Sequence, residues 1–227
     1  MSSSTISADV QQLEIAAGNV LLPADAVVPK NATGVVLFAH GSGSSRHSPR
    51  NQFVASALNS AGIATVLADL LTMKEEVVDE RTAEFRFNIP MLTTRVIHMI
   101  DWASASERFS KLPIGLFGAS TGAAAALDAA AARPELVRAV VSRGGRVDLA
   151  NKIEGVRAAT LFIVGGFDTL VLELNENALP KLPRTAKIEV VPGATHLFEE
   201  KGALEQVAQL AAKWFGQYLK TASMPLR

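Results

Sequence analysis

One serine stands between two glycines in the stretch Gly118-Ala119-Ser120-Thr121-Gly122. This is the G-x-S-x-G spacing, which puts a nucleophilic hydroxyl on a sharp turn from a strand into a helix. The glycines leave room in that crowded turn, and the first free amides of the helix favour negative charge formed beside the hydroxyl. The pattern therefore predicts nucleophilic attack on a carbonyl. A serine that only caps the helix would satisfy the same spacing.

A serine hydroxyl needs a general base, and that base needs an acid to orient it. Of the four histidines, His196 follows the last predicted strand and is the preferred base. His98 falls within a predicted amphipathic helix, and His40 is expected to brace a loop. Asp168 follows the seventh predicted strand and is the preferred acid, although it could also cap the next helix. Asp148, after the sixth strand, is its competitor.

A tetrahedral intermediate needs two donors for its oxyanion. The backbone N–H of Thr121, directly after the serine, is one candidate. The glycine-rich turn at 39–48, AHGSGSSRHS, leaves the third predicted strand, and Ser42 is expected to supply the second donor, with Gly43 as the less favoured choice. This turn has neither of the glycine spacings that cradle nucleotide phosphates, so no nucleotide site is expected.

Three arginines lie near these loops, namely Arg46 in the same turn and Arg143 and Arg146 after the sixth strand. A guanidinium offers a planar fork of donors, so all three are candidates for binding a substrate carboxylate. Ordinary surface charge is the simpler interpretation. The charged stretch 70–87 is predicted to be irregular and to form one wall of the site.

The predicted elements alternate between strands and helices. An N-terminal hairpin is predicted at 11–25, with Gly18-Asn19 in its turn. Apolar runs bounded by turn residues predict buried strands at 34–40, 62–69, 112–118, 137–145, 159–166 and 186–193. Apolar residues at helical spacing predict helices at 51–61, 89–103 (with Asn88 as the N-cap), after Ser120, at about 170–179 and at 204–218.

This alternation predicts an α/β fold with a mostly parallel eight-stranded sheet, helices on both faces and the antiparallel hairpin at one edge. Ligands bind such sheets at the carboxyl ends of the strands, which is where the candidate residues fall. Only about fifteen residues separate the sixth and seventh strands, so no large cap domain is expected. An open site favours a small or soluble substrate over a long lipid.

The composition narrows the possible functions. The 227 residues suit a single domain over 1–227, and the formal net charge of zero gives no indication of nucleic acid or an anionic membrane as partner. The chain has no cysteine, which excludes disulfides, Cys-based metal sites and a thiol nucleophile. Four scattered histidines show no metal spacing, and no cofactor is expected. Without a signal-peptide pattern in MSSSTISADV or an apolar membrane span, a cytoplasmic protein is the default expectation.

Together, these residues resemble the α/β-hydrolase family and, within it, the small dienelactone hydrolase-like members. The resemblance covers nearly the whole chain, and it includes the HG pair at His40-Gly41 and the chain order Ser120, Asp168, His196. It implies the α/β-hydrolase fold and cleavage of an ester through an acyl-enzyme.

Dienelactone hydrolases proper use a cysteine nucleophile, whereas this chain has a serine at that position. A general hydrolase of small esters or lactones is therefore the expected activity. An acyltransferase or perhydrolase with the same acyl-enzyme, or a non-catalytic ligand-binding protein, are the alternatives. The sequence leaves the oligomeric state open.

Overall fold

The computed structural model describes residues 10–220, which form an eight-stranded sheet with helices on both faces. The strands are β1 (Gln11–Ala17), β2 (Val20–Val27), β3 (Val35–Ala39), β4 (Ala64–Ala68), β5 (Ile114–Ala119), β6 (Val137–Arg143), β7 (Ala159–Gly165) and β8 (Lys187–Val191). Their order is β1-β2-β4-β3-β5-β6-β7-β8. The pairs β1–β2 and β2–β4 are antiparallel, and all the others are parallel.

Helices cover the sheet on both sides. They are α1 (Pro49–Ser60), α2 (Met73–Thr82), α3 (Ile89–Ala105), α4 (Thr121–Ala132), α5 (Thr169–Ala178) and α6 (Ala203–Tyr218), with short 3-10 turns at Val147–Leu149, Ile153–Gly155 and Leu179–Lys181. Residues of α3 and α4 share one apolar core with the sheet, and residues of α1 and α6 share a second core on the opposite face. The predicted mostly parallel sheet with an edge hairpin is confirmed, and no large cap lies over it within the described residues.

The central strands are buried on both faces, which explains their unbroken apolar sequences. Every residue of β3, β5 and β7 is buried. Polar side chains would have no water to contact at these positions, so the strands are built from continuous apolar runs instead of alternating patterns. The carboxyl ends of these strands then open into loops at a single edge of the sheet.

The segment predicted to be irregular contains a helix, so that prediction was wrong. Helix α2 begins after Thr72, whose hydroxyl accepts a hydrogen bond from the Glu75 N–H at 3.3 Å. The Glu75 carboxylate accepts in return from the Thr72 N–H at 2.8 Å. This reciprocal capping pair starts the helix without an apolar stripe. The T-x-x-E spacing in LLTMKEEVV was the signal that could have identified it.

No helix within residues 10–220 is long and apolar enough to cross a membrane. The first nine residues, on which the expectation about a signal peptide depends, lie outside the described part.

Two glycine variants test how closely α4 approaches β3. A Cβ added at Gly122 would lie 2.2 Å from the carbonyl oxygen of Ala39 and 2.4 Å from that of His40. Backbone atoms at a strand end cannot move aside cheaply, so we expect Gly122→Ala to lower the free energy of unfolding by about 3 kcal/mol or more. Denaturant-induced unfolding measures this change.

Gly216, in α6, is the matched control because nothing lies within 4 Å of the point that a methyl group on its Cα would occupy. Gly216→Ala should raise the free energy of unfolding by about 0.5–1 kcal/mol, because alanine has the higher helix propensity. Similar effects from the two substitutions would contradict the close contact at Gly122.

Candidate active site

Ser120 occupies a strained turn between β5 and α4. Its backbone dihedral angles are φ 51° and ψ −121°, a region that residues other than glycine rarely adopt. A Cβ at Gly118 would lie 2.5 Å from the Ala123 Cα, so the turn requires glycine there. The Ser120 side chain makes no capping hydrogen bond to α4. The hydroxyl is therefore not a helix cap, and such strain is typical of functional positions.

A chain of hydrogen bonds connects the three residues predicted as a triad. The Nε2 atom of His196 lies 3.3 Å from the Ser120 Oγ, and its Nδ1 atom lies 2.6 Å from the Asp168 Oδ2. An ionised carboxylate can only accept, so Nδ1 carries the proton in neutral His196 and Nε2 is left to accept from the serine hydroxyl. Asp168 stands at the N-cap position of α5 but makes no capping bond, because its side chain faces the imidazole instead.

The competing acid, Asp148, is engaged elsewhere. Both of its oxygens accept hydrogen bonds from the guanidinium of Arg146, at 2.9 and 2.8 Å. The Arg146 guanidinium also holds the pKa of the Asp148 carboxyl below its usual value. The structure thus places Asp168, and not Asp148, against the imidazole.

The two predicted oxyanion donors lie next to each other. The Ser42 Oγ is 3.0 Å from the Thr121 Oγ1 and 3.3 Å from the carbonyl oxygen of Arg86. A hydroxyl has one proton, so Ser42 donates to the Arg86 carbonyl and Thr121 donates to Ser42. Within residues 10–220, neither backbone N–H of Ser42 or Thr121 has an acceptor. Both amides are therefore available to a negatively charged oxygen.

Glycine lets the oxyanion loop touch the turn at Ser120. A Cβ at Gly41 would lie 3.0 Å from both the Ala119 carbonyl oxygen and the Ser120 Cβ. The residue before it, His40, is buried and fixes the loop to the end of β4. Its Nε2 accepts from the Leu70 N–H at 2.8 Å, so its Nδ1 carries the proton and donates to the Gly41 carbonyl at 3.0 Å. His40 therefore acts as the predicted loop brace.

A cavity of about 260 Å³ opens beside the Ser42 and Thr121 pair. The segment 70–87 forms one of its walls, as predicted, although through α2 and not through an irregular loop. Asp79 holds that wall in place, since it accepts from the N–H groups of Phe85 and Arg86 at 2.8 and 2.9 Å. The side chains lining the cavity include Leu71, Glu76, Asp79, Glu80, Arg86 and Leu92.

The three candidate arginines lie in different electrostatic surroundings. Arg46 forms ion pairs with Asp69 and with Asp25, and Arg146 is held by Asp148 as described above. These carboxylates already neutralise both guanidiniums, which argues against a substrate-binding role for them. Arg143 is buried and has no such partner within residues 10–220, so the structure favours it among the three predicted arginines.

Residues 10–220 contain no candidate metal centre. No group of three or more His, Asp or Glu side chains within residues 10–220 is arranged to hold a metal ion.

Comparison with known proteins identifies the family to which this sequence belongs. Residues 22–221 match the Dienelactone hydrolase family. This chain belongs to the dienelactone hydrolase family. The crystal structure of dienelactone hydrolase from Anabaena variabilis ATCC 29413 shares 52% sequence identity with this family member, with a TM-score of 0.92. The similarity covers 93% of this chain and 99% of that one.

A more distant structure shows the same fold. XC6422 from Xanthomonas campestris, described as an α/β serine hydrolase without a lid, is 20% identical, with a TM-score of 0.75. The match covers 96% of this chain and 97% of that one, and at this identity it shows the fold alone. The predicted α/β-hydrolase fold is thus confirmed for this dienelactone hydrolase family member, and residues 10–220 include no large cap.

Two relatives carry a different name. Proteins from two strains of Mycobacterium tuberculosis, both named "Putative phosphoribosyl transferase", are 51% identical over 210 residues. The match covers 92% of this chain but 46% of each relative. The chain thus spans about half the length of these proteins, whose name refers to a longer molecule.

The pH dependence of stability tests the protonation state of His40. Burial is the main cause that lowers the pKa of His40 below its ordinary value of 6.5, against opposing effects from the Gly41 carbonyl and Asp69. The folded protein therefore keeps this imidazole neutral at pH values where the unfolded chain binds a proton. The contribution of the neutral imidazole to the free energy of unfolding is therefore complete above pH 6.5. As the pH falls below 6.5, this contribution decreases by up to about 1.4 kcal/mol per pH unit.

His40→Gln removes this titration while offering an acceptor to the Leu70 N–H. We expect the stability advantage of the unmodified protein over His40→Gln to shrink as the pH is lowered from 8 to 5. Urea unfolding at each pH measures it. A difference that is constant with pH would contradict the neutral, buried imidazole.

Proposed function

We propose that this protein is a serine hydrolase that cleaves a small carboxylic ester or lactone through an acyl-enzyme. The observation that carries the proposal is the hydrogen-bond chain from Ser120 through His196 to Asp168, with the hydroxyl held on a strained turn. Membership of the dienelactone hydrolase family supports a hydrolase. The choice of an ester or lactone rests on the nucleophile and on the two free amides beside it.

In the proposed first step, the Ser120 Oγ bonds to the substrate carbonyl carbon while its proton moves to the Nε2 of His196. The carbonyl π electrons move onto the oxygen, which accepts hydrogen bonds from the backbone N–H groups of Ser42 and Thr121. The Asp168 carboxylate stabilises the imidazolium that forms. The N-terminus of α4 adds favourable electrostatics at the same point.

In the second step, the tetrahedral intermediate collapses. The bond to the alcohol oxygen breaks, that oxygen takes the proton from His196, and an acyl ester remains on Ser120. Water then gives a proton to the same imidazole as it attacks the acyl carbonyl, and the reverse transfer frees the serine. The carboxylic acid product leaves with the water oxygen. Each step uses groups that already lie within reach of one another.

The cavity supports a substrate of modest size. Its volume of about 260 Å³ lies just below the usual range for small-molecule sites. Leu71 and Leu92 give it apolar surface, and it adjoins the two oxyanion donors. A short acyl or alcohol group would therefore lie beside the reacting carbonyl. The absence of a large cap over the described residues leaves the site open to solvent.

Replacing the nucleophile tests the proposal most directly. We expect Ser120→Ala to lower the turnover of p-nitrophenyl acetate by a factor on the order of a thousand or more. It should also abolish covalent labelling by a fluorophosphonate. Ser60→Ala, at an exposed serine of α1, is the control and should keep both properties. Near-normal turnover by Ser120→Ala would refute the assignment, and an unmodified protein that does not label would favour a non-catalytic scaffold.

A second pair of variants tests the acid. Asp168→Asn places an amide against the Nδ1 of His196 and disfavours the tautomer that leaves Nε2 free, so we expect turnover to fall by about 10³–10⁴. Asp148→Asn should have little effect, because Asp148 contacts Arg146 and not the imidazole. The same ester assay compares the two. A larger loss from Asp148→Asn would transfer the acid role to that residue.

A further inference from the structure

Arg143 is a buried cation that no carboxylate within residues 10–220 neutralises. It is the last residue of β6, and only 8% of its surface is exposed. Side chains alternate along a strand, and Val141 lies in the core formed by α1 and α6, so Arg143 points to that same face. Its Nη1 atom is buried and has no hydrogen-bond partner within residues 10–220.

The charged side chain near Arg143 is that of Arg50, which is also positive. Burial, with the positive charge of Arg50 as the smaller cause, lowers the pKa of Arg143 to about 10. The guanidinium is therefore still charged at neutral pH. Arg50 lies in the first turn of α1, and its own Nε is also buried without a partner. Its Nη1 contacts the Glu199 Oε1 at 3.3 Å, but that carboxylate is 65% exposed.

Arg143 and Arg50 each have a buried donor without a partner within residues 10–220, and their positive charges repel each other. This arrangement is unfavourable unless an anion neutralises it. Burying a charge without a partner costs free energy, because the hydration that is lost is not replaced. The forked donors of arginine fit the oxygens of carboxylate and phosphate groups. Arg46 and Arg146, by contrast, already have carboxylate partners. The unused donors, the Nη1 of Arg143 and the Nε of Arg50, thus match an anion that residues 10–220 do not provide at these two atoms.

The backbone of Arg143 is connected to the proposed catalytic residues. Its carbonyl accepts a hydrogen bond from the Ser120 N–H at 3.2 Å. A Cβ on the next residue, Gly144, would lie 3.4 Å from the Nδ1 of His196. The Arg143 side chain therefore leaves the backbone between the turn at Ser120 and the loop that carries His196. It is not among the residues that line the 260 Å³ cavity.

We propose that Arg143 and Arg50 form a binding site for a carboxylate or phosphate group, on the α1 and α6 side of the serine–histidine pair. The group belongs either to a free anion or to an ester substrate. The substrate alternative rests on the proposed hydrolase function, whereas the free-anion alternative does not. In both cases the anion neutralises the buried guanidinium of Arg143.

Thermal unfolding in inorganic phosphate and in chloride, at equal ionic strength, tests for the site itself. Phosphate should raise the Tm of the unmodified protein more than chloride does, because a ligand that binds only the folded state stabilises it. Arg143→Met should abolish this phosphate-specific increase. Arg138→Met, at an exposed arginine of the same strand, should keep it. In phosphate-free buffer, Arg143→Met should be at least as stable as the unmodified protein, since it removes an unpaired buried charge.

Arg50→Gln provides a second variant if Arg143→Met fails to fold, and it should weaken the phosphate-specific increase. Ser120→Ala should keep the increase in full, since the site does not use the hydroxyl. This variant separates the anion site from catalysis. If the unmodified protein shows the phosphate effect but no esterase activity, the anion site stands and the proposed function is refuted.

A matched pair of esters identifies the source of the anion. If the anionic group belongs to the substrate, Arg143→Met should lower kcat/KM for p-nitrophenyl hemiglutarate by about tenfold or more, while p-nitrophenyl pentanoate is hydrolysed as before. If the anion is free, both esters respond alike to Arg143→Met and only the Tm effect remains. Equal Tm responses to phosphate and chloride in all variants, with no change in the ester preference, would overturn the proposal.

Discussion

The contact between the first turn of α4 and the carboxyl end of β3 is the constraint on which the site depends. Gly122 lies so close to the carbonyl oxygens of Ala39 and His40 that no side chain fits at this position. This contact brings the strained Ser120 turn, the amide of Thr121 and the loop carrying Ser42 to one point. A residue other than glycine in such a sparsely populated backbone region costs about 1–3 kcal/mol, which the surrounding structure has to offset. Packing of α4, in which six of the eight alanines are buried, contributes to this offset.

Parallel strands explain why much of the site could be predicted. The candidate nucleophile, acid and base follow β5, β7 and β8, and the carboxyl ends of parallel strands lie at the same edge. Their order along the chain and the apolar runs before them were therefore sufficient to place them together. Helix α2 was missed because its sequence has no apolar periodicity, and only the capping pair of Thr72 and Glu75 marks its start. The sequence pattern for core helices does not detect a helix of that kind.

The ion pairs of the charged side chains could not be predicted from the sequence. Arg46 contacts Asp25 on β2 and Asp69 after β4, so its partners depend on how three separate segments meet. The proximity of Arg50 to Arg143 likewise arises from the packing of α1 against the sheet. Within residues 10–220, these contacts divide the three candidate arginines into two that carboxylates neutralise, Arg46 and Arg146, and one without such a partner, Arg143. That difference, and not the number of arginines near the loops, is the reason why the proposed anion site is built on Arg143.

In the proposed mechanism, a serine nucleophile makes this family member depend strongly on the carboxylate that orients its base. A thiol is partly ionised near neutral pH and is intrinsically nucleophilic, whereas a hydroxyl attacks only as a base removes its proton. The base must therefore present Nε2 in the correct tautomer at the moment of attack. The 2.6 Å contact between the Nδ1 of His196 and Asp168 meets that requirement, and it does so because Asp168 leaves the N-terminus of α5 without a side-chain cap. The helix gives up a capping bond typically worth about 1 kcal/mol so that the imidazole is oriented.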